Sequence, residues 1–298
     1  MTPIKKRILI IGASGFLGQG IYRYFQQNLC EHYQLTGTYC SSSPAPTLEK
    51  LDITSLNELE QYVTATLPDY ILLAAGNKNV QDCEADYSRA YALNTQPVES
   101  MISIISRHKL PVRLLYFSTD YVFEGKTGHY RDTDLPCPST NYGKTKYLAE
   151  QALIHSKINY KIIRTAAVMG RGGIFFDWLI DNLSTGKDIS MYDNVFFSPT
   201  PMVFLAGMVA RCVENYESLP QKILHIVGEK RLNRYQFALT VKNILHSDTR
   251  IHADKNLDTS TLFQHDLSLI PSDIINTWRE KNFENYLKEE ILDASVCK

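Results

Sequence analysis

Arg7-Ile8-Leu9-Ile10-Ile11-Gly12-Ala13-Ser14-Gly15-Phe16-Leu17-Gly18 is the stretch whose reading decides the fold. An apolar run of strand length passes into a glycine-rich turn, and the turn opens a helix-period segment, Phe16 to Gln27. In that context Gly12 and Gly15 let the backbone turn tightly and approach a pyrophosphate, which then sits at the positive end of the helix. Gly18 allows helix and sheet to pack closely. The turn, with Ser14, Phe16 and Leu17, is therefore read as a dinucleotide-binding element. Its G-x-x-G-x-x-G spacing differs from the G-x-G-x-x-G of two-domain dehydrogenases. An ordinary strand-to-helix turn would also use such residues; the position at the head of a βαβ pattern separates the two.

Outward from this stretch, apolar runs of strand length alternate with helical segments. Strands are predicted at Arg7 to Ile11, Tyr33 to Tyr39, Tyr70 to Ala75, Val112 to Phe117 and Tyr160 to Arg164. Helices are predicted at Phe16 to Gln27, Leu56 to Thr66, Ala85 to His108 and Tyr142 to Ser156. Continuous apolar strands with crossover-length helices between them indicate an α/β fold of Rossmann type, a doubly wound parallel sheet that binds ligands at the carboxyl ends of its strands. After about Gly170 the pattern loosens, with short strands near Ile189 and Ile223 to Val227 and helices near Phe175 to Leu183, Met202 to Asn215 and Arg234 to Leu245. The expected division is a nucleotide-binding domain over 1–170, whose sheet later segments can complete, and a smaller, discontinuous substrate lobe mainly over 171–298.

The 298 residues are 44% hydrophobic, enough for one sizeable core with a smaller lobe attached. Thirty-one basic and 32 acidic residues leave a net charge of −1 with no run of like charge, which argues against nucleic acid or acidic lipid as a partner. Cys30, Cys40, Cys83, Cys137, Cys212 and Cys297 fall at irregular spacings without a C-x-x-C, and the histidines form no ligand pattern, so neither a metal site nor a disulfide framework is expected. Lys5-Lys6-Arg7 precedes an apolar run too short for a signal peptide, and no window reaches the ~18 apolar residues of a membrane span. A cytoplasmic protein acting on a small molecule is the expectation.

Some ~20 residues past the glycine turn, an NAD site carries a carboxylate for the ribose 2′-hydroxyl. This chain reads Thr38-Tyr39-Cys40-Ser41-Ser42 there, so nothing repels a 2′-phosphate, hydroxyls such as that of Ser41 can bond one, and NADPH is favoured over NADH. Asp52, ahead of Ile53, is placed either at the adenine amino group or as a helix N-terminal carboxylate. Ala74-Ala75-Gly76 ends the next strand with residues small enough for a cofactor ribose to lie against the backbone. Ser118-Thr119-Asp120-Tyr121 then sets hydroxyls at the mouth of the sheet, where one can hydrogen-bond a substrate carbonyl. In Asn141-Tyr142-Gly143-Lys144-Thr145-Lys146 a tyrosine stands four residues before a lysine, on one face of a helix. The lysine is expected to pull the phenol pKa down toward neutrality, so that Tyr142 can hand a proton to the carbonyl oxygen, and to hold the nicotinamide ribose.

With these parts in order, the chain resembles an extended short-chain dehydrogenase/reductase, more narrowly the dTDP-4-dehydrorhamnose reductase family, over nearly its whole length. Tyr116-Phe117-Ser118-Thr119-Asp120-Tyr121-Val122-Phe123 and the Tyr142 helix carry the resemblance, with further matches at Leu93-Asn94, Ile163-Arg164-Thr165, Ser198-Pro199-Thr200 and Leu257-Asp258-Thr259-Ser260. It implies Thr119 as catalytic hydroxyl, Tyr142 as proton donor and Lys146 as its partner. It also implies Asn94 among the cofactor contacts, and Lys78, Val80, Tyr121 and Ala167 around the sugar. The implied reaction is hydride transfer to the C4 ketone of a nucleotide-linked 4-keto-6-deoxysugar, in a protein that can form a homodimer. Two departures lie near the sugar: Thr165-Ala166-Ala167-Val168-Met169 lacks the aromatic residue of relatives, and Lys78 replaces a small hydroxyl residue. The alternatives are a non-catalytic subunit, since the fold includes the regulatory subunit of methionine adenosyltransferase, or a nucleotide-sugar epimerase or dehydratase.

Overall fold

The computed structural model of the chain describes residues 5–41, 47–255 and 264–293. They fall into two compact units, each assembled from separate stretches: Met1–Val122, Pro138–Arg164 and Val209–Leu224 in the first, Phe123–Cys137, Thr165–Met208 and His225–Lys298 in the second.

The chain opens with β1 (Lys6–Ile11), α1 (Phe16–Asn28), β2 (Tyr33–Tyr39), β3 (Leu48–Lys50), α2 (Leu56–Thr66) and β4 (Tyr70–Leu73). Then follow α3 (Val80–Ala85), α4 (Tyr87–Asn94), α5 (Gln96–Arg107), β5 (Arg113–Thr119), a 3₁₀ turn at Asp120–Val122, α6 (Asn141–Ile154) and β6 (Asn159–Thr165). Beyond these lie β7 (Val168–Met169), α7 (Ile174–Thr185), β8 (Ile189–Tyr192), β9 (Phe196–Phe197), β10 (Thr200–Pro201), α8 (Met202–Glu214) and β11 (Ile223–His225). The last elements are β12 (Leu232–Asn233), α9 (Arg234–Leu245), β13 (Ile251–Asp254), α10 (Asp273–Trp278) and α11 (Phe283–Asp293).

The first unit is built on a seven-stranded parallel sheet in the order β11-β6-β5-β4-β1-β2-β3. The direction of progression reverses at β1, so the carboxyl ends of β1 and β4 diverge into different crossovers at the switch point where such sheets bind ligands. β1 runs beside β2 from Lys6↔Tyr33 and beside β4 from Ile8↔Tyr70. Its residues alternate between two covered faces: Leu9 and Ile11 join the core formed with α2, α5 and α6, through Leu59, Val63, Val98, Met101, Ile104, Ala149 and Leu153. Ile8 and Ile10 are equally buried and point the other way.

Most sequence-predicted elements stand within a residue or two of their expected ends. The predicted helix Ala85 to His108 does not: it is α4 and α5, preceded by α3, which ends at Ala85. Asp86 caps α4 by accepting from Arg89 N at 2.9 Å, and Pro97, at the start of α5, has no N–H to continue a helix through Thr95. The short edge strand β3, α3 and the two C-terminal helices stand outside the predicted elements, although Phe283, Tyr286, Leu287 and Ile291 of α11 are buried at helical spacing. The Leu257-Asp258-Thr259-Ser260 motif, Ser42 and Cys297 lie outside the described residues.

The second unit has its own core, with Met169, Phe176, Leu179, Leu183, Phe197, Phe237, Val241, Phe283 and Leu287 among its buried members. Three two-stranded sheets serve it, β7 with β10, β9 with β12 and β8 with β13. Ser198-Pro199-Thr200 fastens it internally: the Ser198 hydroxyl donates to Leu269 O and accepts from Leu269 N, and Thr200 Oγ1 accepts from Gly228 N. Among the described residues, no helix is long and apolar enough to cross a membrane.

Candidate active site

The glycine turn is shaped by two contacts that only glycine permits. Gly12 has φ +89°, and a Cβ there would stand 2.7 Å from Ala75 N; at Gly18 a Cβ would stand 2.2 Å from Gly12 O. Gly15 is different. Its φ of −78° suits any residue, and an added Cβ would meet only Gly12 O, at 3.4 Å. Protein packing therefore leaves the space beside Gly15 free. Gly15 caps α1 with no side-chain hydrogen bond and the first turn carries no acidic residue, so the amide donors of that turn remain for an anion. These features fit a dinucleotide pyrophosphate. Thr38 supports the turn from β2: it is 1% exposed and accepts from Gly12 N at 3.2 Å, so its hydroxyl is committed to the protein.

The other expected cofactor contacts divide into open and committed groups. Tyr39 is partly exposed and Ser41 exposed at the end of β2, and Lys50 stands in register with Tyr39 on β3, exposed in its turn. That register was invisible in the sequence. Asp52 is neither the helix cap, which is Ser55, nor uncommitted: its carboxylate accepts from Thr54 N and Oγ1 at 2.9 and 2.7 Å, and these bonds hold it below the usual carboxylate range. Ile53 spends its side chain in the core beside Leu59 and Val63. Ala74 and Ala75 are partly exposed past β4, and Gly76 takes φ +150° where a Cβ would meet Asn94 Oδ1 at 2.7 Å. Asn94 itself is 2% exposed: Oδ1 accepts from Asn77 N, and Nδ2 donates to Asn77 O at 3.0 Å and to Thr145 Oγ1 at 3.2 Å. Its amide fixes the loop after β4 against α6 and leaves no free donor for a ligand.

Helix α6 is docked from several sides. Thr140 caps it by accepting from Gly143 N at 3.1 Å, and Thr95 Oγ1 donates to Thr145 O at 2.8 Å. A Cβ at Gly143 would lie 2.1 Å from Tyr121 O, so only glycine lets the helix start this close to the 3₁₀ turn after β5. The approach brings the Tyr142 and Tyr121 rings edge to face with centroids 5.5 Å apart. Thr119, at the end of β5, donates its hydroxyl to Asp120 Oδ1 at 2.9 Å and accepts from Tyr121 N at 3.3 Å. To donate to a substrate oxygen it must rotate its hydrogen away from Asp120.

The electrostatics correct one expectation. Burial holds the Tyr142 phenol well above the usual tyrosine range; the Thr119 hydroxyl opposes this and the Asp120 carboxylate reinforces it. Burial also brings Lys146 down to about 7, against the upward pull of Glu150 and Cys83. The lysine does not bring the phenol down toward neutrality. Its amine donates to Phe117 O at 2.6 Å and stands 4.2 Å from the centroid of the Tyr116 ring. Desolvation disfavours both charged forms, leaving an un-ionised phenol suited to donating a proton.

Of the residues expected around the sugar, Tyr121 and Val80 are partly buried in the first unit. Lys78 is exposed, its ammonium 5.3 Å from the centroid of the Phe16 ring at the head of α1. Ala167 belongs to the second unit, packed against that unit's core. The sequence reading missed Asn77 and Glu150, and set Thr38 among hydroxyls for a phosphate where it instead accepts from Gly12 N. Only Glu150 had a signal, standing one helical turn beyond Lys146.

With this geometry in hand, comparison with known proteins is informative. The profile of the family described as the RmlD substrate binding domain matches residues 6–262. A curated dTDP-4-dehydrorhamnose reductase of Aggregatibacter actinomycetemcomitans is 28% identical over 267 residues, covering 86% of this chain and 87% of that protein. Methionine adenosyltransferase 2 subunit beta of Bos taurus is 25% identical over 252 residues, covering 79% and 71% respectively. Among solved structures, dTDP-4-dehydrorhamnose reductase from Bacillus anthracis in complex with NADP superposes with a TM-score of 0.85 at 21% identity, covering 98% of this chain and 100% of that one.

Proposed function

The chain belongs to the family described as the RmlD substrate binding domain, and on that premise we propose that it reduces the C4 ketone of a nucleotide-linked 4-keto-6-deoxysugar with a hydride from NAD(P)H. The observation that carries the reading is a partly buried, un-ionised Tyr142 beside the Thr119 hydroxyl, with a buried Lys146 one turn along the same helix. When bound, the reduced nicotinamide supplies the hydride to the ketone carbon. Gly12 to Gly18 and the open first turn of α1 would hold its pyrophosphate, and Ala74 to Gly76 would leave room for its ribose. Thr119 and Tyr142 orient the ketone oxygen by hydrogen bonds, and as charge develops there the Tyr142 phenol gives up its proton. The phenolate left behind is stabilised by Lys146 in its ammonium form. A phenol held above its usual range keeps its proton at neutral pH, so the form able to donate is the one present.

For the cofactor, NADPH is the reading over NADH. The end of β2 has no carboxylate to repel a 2′-phosphate, Ser41 is exposed there, and Lys50 brings a cation beside Tyr39. The dTDP-4-dehydrorhamnose reductase of Bacillus anthracis was solved with NADP. A non-catalytic role, as a relative of methionine adenosyltransferase 2 subunit beta, gives no use to a proton donor. Retention of Thr119, Tyr142 and Lys146 together speaks for an enzyme.

The test is a panel of nucleotide-linked 4-keto-6-deoxysugars with NADPH, following absorbance of the reduced nicotinamide. Turnover that falls ~10²–10⁴-fold in Tyr142→Phe is the expected outcome. Loss of less than about tenfold, roughly 1.4 kcal/mol of transition-state stabilisation, rejects Tyr142 as the acid.

A further inference from the structure

Beneath Tyr142 and Lys146 lies a charged cluster for which the reduction, as derived above, has no use. Glu150 is fully buried on α6, and Arg164, 1% exposed at the end of β6, forks onto it: Nε reaches Oε1 at 3.0 Å and Oε2 at 3.3 Å, and a terminal nitrogen reaches Oε2 at 2.7 Å. The Ser118 hydroxyl, 4% exposed, donates to the same carboxylate at 2.5 Å. Ser118 is the residue before Thr119, and Phe117, the residue before that, offers its carbonyl to Lys146. One carboxylate thus ties together α6, β5 and β6 under the proposed reacting groups.

For stability alone this is a poor arrangement. Desolvating two charges costs about as much as their attraction returns, and an apolar pair of similar size is often as stable. A bidentate pair with a third hydrogen bond nevertheless fixes direction and distance more tightly than apolar packing does. Its position adds a second effect. Side chains four apart on a helix share a face, so Glu150 is the carboxylate one turn beyond Lys146, as Tyr142 is the phenol one turn before it. The other titratable groups facing Lys146 are Tyr116 from β5 and Cys83 from α3, both buried and both held above their usual range, with Arg164 behind Glu150 on β6. Glu150 is the carboxylate in that set.

We propose that Glu150 is a positioning residue for the reduction: through Ser118 and Arg164 it holds the strand end that carries Thr119, and it supplies the counter-charge that sustains Lys146 as a cation. The proposal rests on the reductase reading. The pull of Glu150 on Lys146 agrees with it.

Two measurements separate its failure from failure of that reading. In the cofactor-free protein with lysine side chains carbon-13 labelled next to the amine, the Lys146 resonance is titrated without any turnover. Glu150→Gln is expected to lower its midpoint by one unit or more; an unchanged midpoint overturns the counter-charge. Because a lone Arg164 can unfold the single variant, the double substitution Glu150→Gln with Arg164→Gln replaces the ion pair by two amides and is expected to lower the midpoint as well, by a smaller amount because the Arg164 cation is lost with the carboxylate. In turnover, the alkaline limb of kcat/KM should move to lower pH by the same amount as the midpoint, and Ser118→Ala should lower kcat about tenfold with KM and the limb unchanged. A purely structural role would reduce the amount of folded enzyme and leave the limb where it was, which would overturn the proposal. Absence of turnover in the wild-type protein would reject the reductase reading and leave the titration to stand.

Discussion

Tyr142 and Lys146 were legible as a pair, and their charge states were not. Spacing on a helix placed them on one face, and the expectation that an ammonium would draw the phenol toward neutrality followed from proximity alone. Burial reverses it. Desolvation is the largest effect on both groups, so the phenol is raised and the amine brought down to about 7. The sign of the pH dependence follows. Tyr142 keeps its proton across the neutral range, so the acid form is always present. Lys146 is charged below about 7 and neutral above it, and only the charged form stabilises the departing phenolate. The kcat/KM for ketone reduction is therefore expected to be level at acid pH and to fall as pH rises through about 7, since this parameter reports groups of the free enzyme. A profile that stays level well into the alkaline range would show that Lys146 does not titrate there. Glu150 belongs to the same scale: one turn from Lys146, it could have been suspected from sequence, but nothing in sequence reveals that Arg164 and Ser118 meet on it.

At the scale of elements, the glycine turn and the strand register carry the testable content. Gly18 is required by the protein's own packing and Gly15 is not. Gly18→Ala is expected to destabilise the fold by ~1–3 kcal/mol or more through overpacking against Gly12, seen as a lower Tm. Gly15→Ala should cost under ~1 kcal/mol as an N-cap change, yet weaken dinucleotide binding in calorimetry, because the added methyl enters the space left for phosphate. Equal effects of both on stability would remove the reason for assigning Gly15 to a ligand. The edge strand β3 makes a separate point. It is three residues long, and only its pairing with β2 brings Lys50 to Tyr39. Lys50→Glu is expected to lower the NADPH to NADH ratio of kcat/KM by about tenfold or more, about 1.4 kcal/mol, and an unchanged ratio would exclude Lys50 from cofactor choice. The helices teach the converse. Periodicity ran unbroken from Ala85 to His108, but Asp86 and Pro97 divide that stretch, and capping chemistry won over apolar spacing.

At the scale of the whole molecule, the first unit closes only when the chain comes back to it. Residues 209–224 supply the edge next to β6, where Ile162 N donates to Lys222 O at 2.7 Å. Lys161, 2% exposed inside β6, donates to Leu219 O at 2.6 Å and Gln221 O at 3.0 Å. Without that segment a buried ammonium would lose both acceptors and β6 would become an open edge. A fragment ending at residue 208 is accordingly expected not to form a cooperative nucleotide-binding domain; a sharp thermal transition and NADPH binding by that fragment would refute this. The sequence by itself determined the parallel α/β sheet and the glycine turn that begins it. Those rest on periodicity and short spacings, which are local physics written along the chain. Tertiary structure decided which glycine of the turn has open space beside it, that Asn94 and Thr38 serve the protein, that Lys50 meets Tyr39, and that Glu150, Arg164 and Ser118 lie under the proposed reacting groups. Those depend on contacts between residues far apart in the chain and on burial, and burial sets the protonation states that spacing alone predicts with the wrong sign.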